Sequence, residues 1–101
     1  MAKSWTVYRH ISPSGKVYIG ITSREVIKRW NNGNNYKTCS IFQKAILKYG
    51  WDNMKHQVLF TNLTEKRAKD LEINLIRHYK NLAISYNITD GGDGMLGVSP
   101  N

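Results

Sequence analysis

A five-residue turn between two alternating segments constrains this chain more than any other feature. Residues 5–11 (WTVYRHI) and 17–22 (VYIGIT) are rich in aromatic and β-branched side chains, which suit a pleated, half-buried strand. Ser12, Pro13, Ser14, Gly15 and Lys16 lie between them, a cluster of turn-forming residues. The pattern predicts an antiparallel hairpin. Setting Ile11 opposite Val17 places Tyr8 opposite Gly20 and His10 opposite Tyr18. Side chains alternate along a strand, so these four share one face. Trp5, Val7, Ile11, Val17, Ile19 and Ile21 fill the other face and read as core. A slip of one residue would break up both sets.

Helix signals follow. Thr22 or Ser23 can cap a short helix over 24–31. The run 31–35 (NNGNN), with Tyr36, Lys37 and Thr38 after it, is too polar and turn-prone for a core element. It predicts a loop over or beside a surface. Ser40 can cap a helix over 41–49, which Gly50 ends, and Trp51 reads as an anchor for that end. Residues 54–60 (MKHQVLF) predict a third strand. Thr64 is the expected N-cap of the longest helix, 65–80, with Glu65 in its first turn. The stripe Ala68, Leu71, Leu75, Ile76 and Tyr79 gives that helix its buried side. Residues 84–89 predict a short extended piece, and 90–94 (DGGDG) a glycine-rich loop. The order gives an α+β domain, a small, mostly antiparallel three-stranded sheet flanked by helices.

At 101 residues the chain suits one domain. It has no apolar run long enough to span a bilayer and no apolar leader, so an intracellular protein is expected. Cys39 is the only cysteine, which excludes an internal disulfide and a cysteine-based metal cluster. Fifteen Lys and Arg face seven Asp and Glu, a net of +8. Residues 1–60 hold ten of the bases and two of the acids, so the whole surplus lies there. Such an asymmetry suits a polyanion, because released counterions favour binding. It also suits a plain soluble basic surface.

Three features point to chemistry. Tyr8, His10 and Tyr18 surround Gly20, where the missing side chain leaves space beside Tyr8 for a phosphate or a water. The same residues would serve an ordinary strand face with a glycine twist point. Glu72 falls inside the apolar stripe of the long helix, where a carboxylate is rare unless it is paired or metal-bound. It suits a hard cation such as Mg²⁺, or an ion pair with Arg9, Arg29 or a lysine at a helix edge. Arg29 follows the hairpin and can grip a phosphate bidentately, or lie on the surface. Lys28, Lys37, Lys44 and Lys48 are candidates for backbone contacts. Trp30 reads as packing. His56 and His78 stand far from these residues in sequence and read as ordinary.

Five pieces occur in order: Thr6-Val7-Tyr8, Tyr18-Ile19-Gly20, Lys28-Arg29-Trp30, Leu71-Glu72 and Tyr86-Asn87-Ile88-Thr89. The set resembles the GIY-YIG nuclease family, particularly the catalytic domains of phage and intron-encoded homing endonucleases. Thr6-Val7 replaces the Gly-Ile of the first motif. The resemblance implies a nuclease domain over residues 1–95, with 96–101 starting a linker to a DNA-recognition segment. It implies Tyr8, Tyr18, Arg29, Glu72 and Asn87 as catalytic residues, with one Mg²⁺ or Mn²⁺ on Glu72 and double-stranded DNA as substrate. A monomer leaving 5′-phosphate and 3′-hydroxyl ends is expected. Tyr8 would be the general base. A phenol titrates ordinarily near ~10 and needs cationic or hydrogen-bonding help, for which His10, Arg29 and the metal are candidates. Gly20 would give access, and the Asn87 amide would hold Tyr8, Glu72 or the phosphate.

Overall fold

The computed structural model describes residues 3–87. The 90–94 loop, the linker start at 96–101 and the last residues of the 84–89 piece lie outside that range. Three strands form one sheet: β1 (Trp5–Ile11), β2 (Val17–Thr22) and β3 (Lys55–Leu63), in the order β2-β1-β3. Both pairings are antiparallel. The hairpin register is the expected one, with Ile11 on Val17, His10 on Tyr18 and Tyr8 on Gly20. The short turn leaves one register open, because it closes on Ser12, whose amide bonds the Lys16 carbonyl at 3.0 Å.

Three helices cover both faces of the sheet: α1 (Val26–Trp30), α2 (Ser40–Tyr49) and α3 (Glu65–Asn81). Thr64 caps α3 as expected, its side chain accepting from the Arg67 amide at 3.2 Å. The α3 stripe packs on the aliphatic face, where Ala68 and Ile76 meet Val7, Val17 and Ile19, with Leu71, Leu75 and Tyr79 around them. On the other face Trp30 of α1 and Phe42 and Ala45 of α2 pack over the aromatic side of the hairpin.

Several boundaries differ from the sequence reading for identifiable reasons. The Thr22 hydroxyl accepts from the Arg24 amide at 3.0 Å, making a tight turn instead of a cap, and α1 starts later, at Val26. Ser40 is itself the first residue of α2, preceded by Cys39 with no side-chain cap bond. Strand β3 runs on to Leu63, past the expected end at 60, with irregular register opposite Trp5 and Val7. Its polar extension Thr61 and Asn62 carries no alternating signal, since backbone pairing at a sheet edge needs no buried side chain.

The segment after α3 returns along the outer edge of β2. The Val17 amide donates to the Ile84 carbonyl at 2.7 Å, and the Tyr86 amide donates to the Val17 carbonyl at 2.8 Å, a parallel bridge. Among the described residues no helix is long and apolar enough to cross a membrane.

Candidate active site

Tyr8, His10, Tyr18 and Gly20 do share one face, but that face is closed. Tyr8 and His10 are fully buried. The Tyr8 ring lies across Gly20, and a Cβ there would collide with its hydroxyl and ring. The space expected beside Tyr8 for a phosphate or a water is thus filled by Tyr8 itself. Gly20 is required because the phenol crosses the strand at that point. Tyr18 stacks on Phe42 at 4.5 Å between centroids, and its hydroxyl meets the Cys39 sulfur at 3.6 Å.

The lid of this face comes from the polar loop. Asn31 and Asn32 adopt left-handed backbone (φ 47° and 53°), which asparagine tolerates well. Gly33 then passes directly against the Trp51 indole. Asn35 donates from its side chain to the Lys28 and Arg29 carbonyls at 3.1 and 2.9 Å, tying the loop to the end of α1. This curl delivers Tyr36 inward, fully buried. The surface-loop expectation fails at that residue. Tyr36 donates to the Tyr8 hydroxyl at 3.3 Å and contacts the His10 Nε2 at 2.8 Å. His56 was expected to be ordinary, but its Nδ1 lies 2.9 Å from the His10 Nδ1. Position in β3, opposite His10, was the signal available for it once the third strand was paired. Trp30 packs edge-on to Tyr8 and His10, as expected, and Trp51 stacks on His56 at 3.9 Å.

Arg29 and Glu72 act on the same hydroxyl. Burial pushes the Tyr8 phenol above its ordinary value. The Arg29 guanidinium and the Tyr36 hydrogen bond pull it down, and the Glu72 charge pushes it up. Burial opposes the charge on Arg29, yet the Tyr8, Tyr36 and Tyr18 phenols outweigh it and the net shift is upward. Its guanidinium sits over the Tyr36 ring, 4.7 Å from the centroid, a cation–π contact. Burial, followed by neighbouring Tyr8, also raises Tyr18 and Tyr36. Burial first, then His56 and Arg29, lowers His10 to about 2, so it is neutral at any ordinary pH.

Glu72 is 8% exposed, the one buried acid among the described residues. It projects from α3, and among the influences on the Tyr8 phenol its charge comes after burial, Arg29 and the Tyr36 bond.

Asn87 is anchored to the main chain of β2. Its side chain accepts from the Ile19 amide at 3.0 Å and donates to the Ile19 carbonyl at 2.9 Å. It continues the edge pairing of 84–86 and holds the β2 main chain next to Gly20. Tyr86, the first residue of the motif that holds Asn87, is buried and donates to Ser12 at 2.7 Å. Lys28 and Lys37 are exposed, and Lys28 pairs with Glu25 at 3.4 Å. Lys44 and Lys48 line a separate hollow of about 210 Å³ with Lys16, Ser14, Tyr49 and Tyr86.

The donor set suits one kind of metal. Among the described residues no three His, Cys, Asp or Glu come together, so no all-protein cage exists there. A single buried carboxylate fits a hard cation that keeps most of its waters and takes its remaining ligands from a substrate phosphate, as Mg²⁺ does.

No curated protein and no solved structure matches the chain. A family model, the GIY-YIG catalytic domain, matches residues 4–87. That span includes Tyr8, Tyr18, Gly20, Arg29, Glu72 and Asn87, and the chain belongs to the GIY-YIG family of nucleases.

Proposed function

We propose that this domain is a divalent-metal-dependent endonuclease that hydrolyses phosphodiester bonds in double-stranded DNA, as the catalytic domain of an intracellular homing endonuclease. One observation carries the reading. The Tyr8 hydroxyl, lying over Gly20, accepts from Tyr36 at 3.3 Å, and the Arg29 guanidinium sits over that Tyr36 ring, 4.7 Å from its centroid. A phosphate brought to that hydroxyl would meet the Arg29 guanidinium and a phenol, with the buried Glu72 carboxylate as the candidate cation ligand.

Arg29 would neutralise charge that grows on the phosphate during displacement. Its Nη1 bond to the Asn35 carbonyl is long, 3.3 Å, and solvent-exposed. Moving this half-buried side chain is the simplest way for substrate to reach Tyr8. The Tyr8 oxygen would then take a proton from the attacking water, and Tyr18 would orient that water or the phosphate. Attack opposite the 3′ oxygen gives 5′-phosphate and 3′-hydroxyl ends. Asn87 keeps β2 in place for this. Glu72 would hold Mg²⁺ or Mn²⁺, and the bound ion supplies Lewis-acid stabilisation of phosphate charge. Lys28, Lys37, Lys44 and Lys48 would contact the DNA backbone. The domain would work as a monomer.

Supercoiled plasmid incubated with and without Mg²⁺ tests the proposal. Cleavage is expected only with metal. Glu72→Gln should lose it by about 1,000-fold or more while DNA binding stays within a few-fold. Full cleavage by Glu72→Gln would remove the metal role. The sealed Tyr8 hydroxyl favours one other reading, a domain that binds nucleic acid without cutting. DNA binding with no cleavage under any metal or pH would establish that instead.

A further inference from the structure

A second basic place lies at the turn end of the hairpin. Lys16 of the turn and Lys44 and Lys48 of α2 line one hollow of about 210 Å³, with Ser14, Tyr49 and Tyr86 among them. Lys44 and Lys48 stand four residues apart on the helix, where like charges repel. Other lysines that lie near an acid pair with it: Lys28 with Glu25, Lys66 with Asp70 and Lys69 with Glu65. Among the described residues no Asp or Glu lines the hollow or pairs with its three lysines. The fold gathers positive charge at this point without a carboxylate to answer it.

Hydroxyls hold one wall of the hollow in place. The buried Tyr86 donates to Ser12 at 2.7 Å, and Ser12 and Ser14 lie 2.7 Å apart. In the order Tyr86 to Ser12 to Ser14, the Ser14 proton is held only by the 3.4 Å link back to Tyr86, so it can turn to an anion. The Gly15 amide closes the turn on the Ser12 carbonyl at 2.8 Å, and the Ser12 amide bonds the Lys16 carbonyl, which fixes the backbone that carries Ser14 and Lys16. On the helix side the Lys48 ammonium lies over the Tyr49 ring, 5.2 Å from its centroid. Ala45 and Tyr86 belong to the hollow and also to the ring cluster that contains Tyr8. The two places are therefore parts of one packed unit.

We infer that this hollow seats one phosphate of the DNA backbone, separate from the phosphate at Tyr8, with Lys16, Lys44 and Lys48 sharing it and Ser14 donating to it. The inference rests on the DNA-binding part of the nuclease reading. It makes Lys44 and Lys48 members of a single seat and adds Lys16 and Ser14 from the turn. Phosphate oxygens accept, and ammonium and hydroxyl groups donate to them. Such a seat fixes the position of a strand without reading its bases. The Ile11–Val17 pair beside the turn stands three residues along β1 from the Tyr8–Gly20 pair, about 10 Å at ~3.3 Å per residue. One DNA strand advances ~3.4 Å along the axis per phosphate, so the seated phosphate lies within about three nucleotides of the one at Tyr8. The DNA then runs along the hairpin, from Gly20 toward the turn.

The salt dependence of DNA affinity tests this. Binding of a short duplex is measured without divalent metal, so that nothing is cut, between about 50 and 200 mM salt. The slope of log affinity against log salt counts the phosphates neutralised, at about 0.9 for each. Lys16→Gln, Lys44→Gln and Lys48→Gln combined should reduce the slope by about 0.9, while any one alone should leave it nearly unchanged, because two lysines still hold the phosphate. A reduction of about 2.7 would mean three independent contacts, and no reduction would place the hollow off the DNA; either result overturns the seat. Lys16→Arg, Lys44→Arg and Lys48→Arg combined keep the charge and should keep the wild-type slope; a reduced slope there would overturn the charge argument. Inorganic phosphate separates the two sources of the anion. In spectra of the lysine side chains, Lys16, Lys44 and Lys48 should shift together at lower concentrations of duplex than of inorganic phosphate. Tighter binding of inorganic phosphate would overturn the DNA assignment. If wild type cuts plasmid with Mg²⁺ but the combined glutamine variant keeps the full slope, the seat is discarded and the nuclease reading stands. If wild type does not cut and the slope still falls by about 0.9, the seat stands on a domain that binds without cutting.

Discussion

On one side of the hairpin Val7, Val17 and Ile19 meet Ala68 and Ile76 of α3, aliphatic against aliphatic. On the other side the alternate residues Tyr8, His10 and Tyr18 meet Trp30, Tyr36 and Phe42, almost entirely rings. The same two strands build both. On the aliphatic side the hairpin's one charged side chain, Arg9, bonds Gln57 and, at 2.8 Å, the Tyr79 hydroxyl, and the rest of the face favours folding through apolar burial. Each ring on the opposite side brings a large apolar body with a polar tip, and the tips are linked to one another. One face is thus equipped to hold the sheet together. The other can hold it together and also place protons and charges.

If that division is right, substitutions on the two faces should separate stability from cleavage. Ile76→Ala, at a fully buried site on the aliphatic face, should cost about 3 kcal/mol of stability. The folded fraction should still cut DNA at the normal rate, as chemical denaturation and single-turnover assays would show. Arg29→Ala, on the ring face, should do the reverse. It should cost roughly 3 kcal/mol at the transition state, with a melting temperature within a few degrees of wild type. A cleavage rate that barely moved would reduce Arg29 to a binding contact.

The next effect is a pH dependence confined to the ring face. His10 has its folded value lowered to about 2, while histidine in an unfolded chain titrates near ~6.5. The unfolded state therefore binds the extra proton first as pH falls. Stability from this group is complete above the unfolded value and is lost progressively on acidification. Between pH 7 and pH 5 the loss is roughly 2 kcal/mol. Denaturation at several pH values should show that slope in wild type and a flatter one in His10→Gln. The smallest effect belongs outside both faces. Thr64→Ala removes the N-cap of α3 and should cost about 1 kcal/mol, leaving cleavage unchanged.

The hairpin register, its two faces, the α3 cap and the stripe with Glu72 inside it were all legible in the sequence. Each is local: alternation, turn length and helical spacing act over a few residues and need no knowledge of a partner. Tyr8, Tyr18, Arg29, Glu72 and Asn87 could be picked out as candidates through spaced motifs, although the Asn87 contacts with Ile19 could not. Tyr36 and His56 were out of reach. Tyr36 sits in a run of polar turn formers, and its inward course depends on two left-handed asparagines and on Gly33 meeting Trp51. His56 meets His10 only because β3 pairs across β1, a contact between residues 46 positions apart.

The sequence by itself determined which side chains of β1 and β2 point together, because a five-residue turn and a period of two leave no alternative. Only the tertiary structure decided that this face would be closed, and by what. A ring is covered when a distant loop supplies matching rings and hydrogen-bond partners, and that complementarity exists between surfaces rather than within any stretch of chain.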